Sequence, residues 1–237
     1  MGGSLGDAQA RALVRRIDPA GAEAYIVAAL YPRERMPALE DRLCDALHSD
    51  DAMAHRFLCM TWRRMMLVLC RLDAGERESK LDMLLSAAGL PGEMLCVGES
   101  APCDGAHLGT ALCEAVYAAR ASRLTGKPSM RAQELGPYAY LLPMSENAFI
   151  RDRCAHNLRL IRAYDEQNRA SLEETAAAYV DSGMQIAQAA KALYQHPNTV
   201  RYRLARLKGL LGIEDDKLFH MALLVTVEMS RIAQLED

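Results

Sequence analysis

Nine consecutive residues near the C-terminal end, His196-Pro197-Asn198-Thr199-Val200-Arg201-Tyr202-Arg203-Leu204, carry the groups best suited to recognising a polyanion. An arginine forms paired hydrogen bonds with the edge of a guanine, and an asparagine does so with adenine. Arg201, Arg206 and Asn198 are therefore candidate base-reading residues. Tyr202 and Thr199 add hydroxyls, and Thr199 also brings a methyl group for thymine. Lys191, Arg203 and Lys208 stand more to the sides and suit phosphate contacts, which position a protein without reading sequence. Residues 182–213 contain all of these and no Asp or Glu, although the whole chain has a net charge of -3. A local cationic island on a slightly acidic body is the charge layout of a protein with one face for a polyanion.

Two short helices must position these groups, over 185–193 and 197–210, separated only by Tyr194-Gln195-His196. Proline at a first helical position has the right φ and lacks only an N–H that would be unpaired, so Pro197 marks the second start. At about 100° per residue, Val200, Leu204, Leu207 and Leu211 fall within roughly 60° of one another and form an anchoring face. Tyr202, Ala205 and Arg206 point the opposite way, with Asn198, Thr199 and Arg201 on the flanks. Ala205 is small enough to let another surface come close. A solvated surface helix is the commoner fate of an arbitrary basic amphipathic segment. The acid-free stretch, the short turn and the residue string together outweigh that reading and indicate a recognition helix for the major groove of double-stranded DNA.

The first half of the chain alternates strand-like and helix-like segments. Strands are expected over 24–30, 57–60, 65–69, 94–97 and 140–142, with Thr61-Trp62-Arg63-Arg64 joining the second to the third. Helices are expected over 37–48, 76–88 and 106–124, the second stopped by Gly89-Leu90-Pro91-Gly92. This order predicts an α+β sandwich with one mainly antiparallel sheet. After Pro143 no strand pattern remains. Helices are expected over 146–161, 168–181, 185–193, 197–210 and 216–234, the last burying Leu218, Met221, Ala222, Val225, Met229 and Ile232. The division expected is 1–21, an N-terminal helix or linker; 22–145, an α/β sandwich domain; and 146–237, an all-α domain.

The string Ala189-Ala190-x-x-Leu193-x-x-His196-x-Asn198-Thr199-x-x-Tyr202-Arg203-Leu204 resembles the C-terminal helix-turn-helix of the PucR/CdaR family of bacterial transcriptional regulators, itself similar to the Fis-type motif. The resemblance extends upstream to Leu160-x-x-Tyr164-Asp165 and Leu172-x-x-Thr175, and downstream over 218–227. Family members often have arginine where Pro197 stands, so one basic contact is missing. The resemblance implies a GGDEF-like, cyclase-related domain before the motif; Val97-Gly98-x-Ser100, with Ala115 and Ala118-Ala119 in the following helix, is similar to that pattern. A catalytic cyclase needs carboxylates to hold divalent metal at the end of the first strand and at the central hairpin. The first strand ends Ala28-Ala29-Leu30-Tyr31-Pro32 and residues 52–72 contain no acid, so the domain reads as a degenerate, non-catalytic module for sensing or dimerisation.

Composition bounds the rest. The 237 residues are 51% hydrophobic and 25% charged, which is globular and leaves room for two cores. Seven cysteines without Cys-x-x-Cys spacing suggest idle thiols in a reducing compartment, and no segment nears eighteen apolar residues. The expectation is a cytoplasmic, homodimeric, sequence-specific DNA-binding transcriptional regulator, with no enzymatic activity, no membrane, no metal or cofactor, and an effector of unknown identity. An architectural DNA binder of the Fis kind, and less so an active nucleotide cyclase, are the alternatives.

Overall fold

The computed structural model describes residues 24–34, 36 and 38–235; the N-terminal helix or linker expected over 1–21 lies outside them. Contacts divide the chain into two units between Ala139 and Tyr140. In the first, β1 (Ala24–Pro32) is buried at every position but its two ends, which is the signature of a central strand covered on both faces. It pairs antiparallel with β3 (Met65–Leu72) and with β4 (Leu95–Glu99). β2 (Phe57–Trp62) forms a hairpin with β3, and β5 (Ser129–Arg131) runs parallel to β4. The sheet order is β2-β3-β1-β4-β5, so the mainly antiparallel α+β arrangement expected from sequence is what forms.

Alternation along the strands feeds two cores. Ile26, Ala28 and Leu30 point to one face, where α1 (Leu39–Ser49) brings Leu39, Leu43 and Ala46, and α3 (Leu81–Ala87) brings Leu81, Leu84 and Leu85. The short α2 (Asp51–Arg56), not anticipated from sequence, leads directly into β2. Tyr25, Val27, Ala29 and Tyr31 point to the other face, against α4 (Leu108–Thr125) with Leu108, Ala111, Ala115 and Ala119. Gly98 explains the glycine-alanine pattern noted above. A Cβ there would lie 2.1 Å from the Ala119 nitrogen and 2.2 Å from the Ala115 oxygen, so β4 and the α4 backbone touch. Ser100 continues the β1–β4 pairing, accepting from the Val27 N–H at 2.9 Å through its hydroxyl.

Two expectations fail here. The helix expected from residue 76 starts only at Leu81. Glu76 is the cause: its carboxylate accepts from the Asp73 N–H at 3.1 Å and the Arg56 guanidinium at 3.0 Å and pairs with Lys80, while Lys80 itself takes φ 50. The strand expected over 140–142 is instead part of α5 (Tyr138–Ser145). Leu141 and Leu142 are adjacent and both buried, which breaks strand alternation, and a short apolar run does not distinguish strand from helix. The fifth strand is the three-residue β5, too short to leave a periodic trace.

The second unit is helical: α6 (Ala148–Asn168), α7 (Leu172–Asp181), α8 (Ile186–Ala192), α9 (Pro197–Leu211) and α10 (Asp216–Gln234). α6 runs past the expected end at residue 161, and the break falls at Arg169, which has φ 48. Asp165 sets that break, accepting from the Leu172 and Glu173 N–H groups at 2.8 and 3.0 Å and so capping α7 from the end of α6. The buried face of α10 is also rotated from the expected one. Phe219, Leu223 and Val227 enter the core, while Leu218 and Met221 remain 57% and 56% exposed. The helix carries two apolar stripes at helical spacing, and the core packs the one led by the aromatic ring; Met229 and Ile232 are buried as expected.

Candidate nucleic-acid interface

α8 meets α9 through two small residues, Ala189 and Ala190, both buried. The turn between the helices closes on backbone bonds: Gln195 N–H donates to the Ala190 oxygen at 2.9 Å, and Tyr194 takes φ 53. That left-handed residue is the C-terminal cap that lets a helix stop abruptly. His196 then caps α9, its Nδ1 accepting from the Asn198 N–H at 3.2 Å, and Pro197 occupies the first helical position. Val200, Leu204, Leu207 and Leu211 are buried against Leu172, Ala176, Tyr179, Phe219 and Leu223. The anchoring face read from the helical wheel is therefore the face the core takes.

Asn198, Arg201, Tyr202, Ala205 and Arg206 are exposed on the opposite side, with Tyr202 at 70%. They are brought together over two turns. The Arg201 guanidinium donates to the Asn198 Oδ1 at 2.6 Å, which keeps two of the candidate base readers extended side by side. Arg206 lies over the Tyr164 ring at 4.6 Å, a cation–π contact that orients the guanidinium plane. Thr199 is half-buried on the flank.

The cations at the sides are held differently. Arg203 is half-buried and donates to the Thr175 hydroxyl at 3.1 Å; that hydroxyl in turn donates to the Ser171 carbonyl at 2.6 Å. Lys208 pairs with Asp216 at the start of α10, and its ammonium holds that carboxyl below the usual carboxylate range. Lys191 is exposed in the last turn of α8, where a cation complements the helix dipole, and makes no ion pair with a described residue. The upstream residues of the spaced string thus acquire physical roles: Tyr164 steadies Arg206, Asp165 caps α7, and Thr175 steadies Arg203. Their spacing was visible in the sequence, but the Thr175–Arg203 and Tyr164–Arg206 contacts join residues 28 and 42 positions apart and leave no periodic signal.

In the first unit, Leu30 pairs with Met66, so the end of β1 and the β2–β3 turn lie at the same end of the sheet. The side chains there are Tyr31, Pro32, Arg63 and Arg64, with Arg63 over the Trp62 ring at 4.7 Å and Arg123 over Tyr31 at 4.5 Å. These are cationic and aromatic groups where a cyclase would need carboxylates. Among the described residues no group of three His, Cys, Asp or Glu is placed to hold a metal ion. Burial pushes the Cys59 thiol up to about 12 and Cys103 up to about 11, so neither is a ready nucleophile.

In comparison with known proteins, residues 172–225 match the family model of the PucR C-terminal helix-turn-helix domain. The chain is 27% identical over 110 residues to the proline-responsive transcriptional activator PutR of Bacillus subtilis (strain 168), covering 45% of this chain and 27% of that protein. It is 28% identical over 81 residues to the DNA-binding transcriptional activator AdeR of the same organism, covering 34% of this chain and 19% of that one. The matches therefore span about a quarter or less of these relatives. A crystal structure of a regulator of polyketide synthase expression from Bifidobacterium adolescentis is similar at a TM-score of 0.43 and 20% identity, covering 99% of this chain and 89% of that chain. No helix among the described residues is long and apolar enough to cross a membrane.

Proposed function

We propose that the protein, whose residues 172–225 match the PucR C-terminal helix-turn-helix domain, is a sequence-specific DNA-binding transcriptional regulator that reads the major groove with α9. The observation that carries this is the division of α9 into a face buried in the helical core and an opposite face that exposes Asn198, Arg201, Tyr202, Ala205 and Arg206. Arg201 and Arg206 are assigned to guanine edges and Asn198 to adenine, with Tyr202 and Thr199 supplying hydroxyls. Lys191, Arg203 and Lys208 are assigned to phosphates. Lys208 reaches a phosphate by exchanging Asp216 for it, and Arg203 offers the N–H groups that Thr175 does not use.

One recognition helix covers a few base pairs, so specific affinity calls for two on paired half-sites, and the protein acts as a homodimer. Residues 22–145 then form a degenerate GGDEF-like module for sensing an effector or for dimerisation, without enzymatic activity, and 146–237 the Fis-like DNA-binding domain. The cationic end of the sheet at Arg63 and Arg64 supports the non-catalytic reading. The protein works in the cytoplasm, where its DNA lies.

Selection of bound fragments from random duplexes, followed by titration at fixed salt, tests the proposal. A regulator discriminates its site from unrelated DNA by at least about a thousandfold. Unrelated duplexes bound within about tenfold of one another would identify an architectural binder instead. Turnover of GTP with magnesium would overturn the non-enzymatic assignment.

A further inference from the structure

His196 does more than end the turn into α9. Its Nδ1 accepts from the Asn198 N–H at 3.2 Å, and a backbone N–H can only donate, so Nδ1 carries no proton while that bond stands. The hydrogen bond at one ring nitrogen fixes the tautomer, and the proton of the neutral imidazole is on Nε2. The two nitrogens face different sides of the ring, so the Nε2–H is aimed away from the first turn of the helix. His196 is exposed, and its side chain makes no other bond with a described residue. Its carbonyl accepts from the Thr199 N–H at 2.9 Å, which holds the backbone that carries the ring. The turn therefore presents a fixed, outward donor.

That donor stands beside the base-reading groups. The His196 ring is bonded to the Asn198 backbone, and the Asn198 side chain to Arg201 at 2.6 Å, so imidazole, amide and guanidinium form one continuous polar series. Residues 182–213 contain no carboxylate to compete for the N–H, whereas Lys208 is held by Asp216. One N–H makes one bond, and N7 of either purine would take it. It cannot tell bases apart as the paired bonds of an arginine or an asparagine do. The acceptor available at every step of a duplex is a phosphate oxygen.

We infer that His196 binds a phosphate of the DNA backbone through its Nε2–H, as a neutral donor, while its Nδ1 holds the start of α9. This rests on the DNA-binding function proposed above. The two bonds strengthen each other: an anionic oxygen drawing on the Nε2–H makes Nδ1 a better acceptor for the Asn198 N–H. Contact with the backbone thereby orders the turn of helix that carries Asn198 and Arg201. A neutral donor displaces no counterion, which sets His196 apart from Lys191, Arg203 and Lys208.

The test is titration of cognate and scrambled duplexes over a range of salt by the parent chain, His196→Ser and His196→Gln, with thermal unfolding alongside. Serine caps a helix from this position, but its hydroxyl stops well short of Nε2. His196→Ser is expected to keep the thermal midpoint and to lose about tenfold in affinity on both duplexes, with an unchanged salt slope. Lys208→Ala, by contrast, should lower the slope by about one. The amide of glutamine reaches as far as Nε2 but caps poorly. His196→Gln is therefore expected to unfold at a lower temperature than His196→Ser and yet to bind both duplexes more tightly than it. A His196→Ser chain that binds like the parent overturns the inference and leaves His196 a cap alone. A loss confined to the cognate duplex reassigns the ring to a base edge, and a slope lowered by about one shows it bound as a cation. Either result overturns the inference, as does a His196→Gln chain that binds more weakly than His196→Ser. A parent that binds no duplex overturns the DNA-binding function and this inference with it, whereas every other outcome leaves that function standing.

Discussion

At the residue scale, the cations of α9 differ in what each would give up to bind the proposed DNA. Arg201 and Arg206 already project from the helix, steadied by Asn198 and Tyr164. Lys208 must leave an ion pair, and Arg203 is fixed to Thr175. Arg201→Ala or Arg206→Ala is therefore expected to weaken the cognate site by about 1–3 kcal/mol and relax base preference at one position. Lys208→Ala should weaken cognate and unrelated duplexes alike, because a phosphate contact carries no sequence information. Titration of one cognate and one scrambled duplex at the same salt separates the two patterns. Equal losses on both duplexes for all three variants would reassign the arginines to the backbone.

At the element scale, each unit is held by a local feature of its own, and each feature has a sharp consequence. Gly98 is the point at which β4 touches the backbone of α4, with neither neighbour able to swing aside. Gly98→Ala is expected to destabilise the first unit by about 3 kcal/mol or more, read as a lowered urea midpoint, because overpacking here meets backbone. Asp165 does the work of an N-terminal cap for α7 from the preceding helix. Asp165→Ala leaves two N–H groups without acceptors and is expected to cost about 1–2 kcal/mol, measured by thermal unfolding of the helical unit. An unchanged midpoint in either variant would refute the role given to that residue.

At the scale of the whole molecule, a slightly acidic chain can bind a polyanion only where its charges are unevenly placed. If about five cations per subunit meet phosphate, log affinity should fall against log salt with a slope of roughly -4 per subunit. Affinity measured between low and physiological salt checks this, and a slope near zero would exclude the electrostatic interface. Acid acts on the first unit instead. The Lys80 ammonium first, then the Asp73 N–H and Arg56, holds the Glu76 carboxyl down at about 2. A group whose folded value is lowered stabilises above its unfolded value of 4.5, so that contribution should vanish as pH falls from about 4.5 towards 2, and Glu76→Gln should flatten the trend.

Much of this was legible in the order of residues alone. The apolar stripe of α9, the proline at its start and the acid-free stretch around it are local patterns, set by helical period and by charge counted along the chain. The central strands, the hairpin at Arg63-Arg64 and the helix 216–234 followed from the same local rules. Tertiary packing decided the rest. It chose the Phe219 stripe of α10 over the Leu218 stripe, because both have helical spacing and only the core distinguishes them. It turned 140–142 into helix, and it moved the start of α3 through Glu76, which the Arg56 guanidinium holds from α2. It also gave Tyr164 and Thr175 their tasks. Period and composition act within a few residues, whereas these bonds form only when distant segments have been brought together.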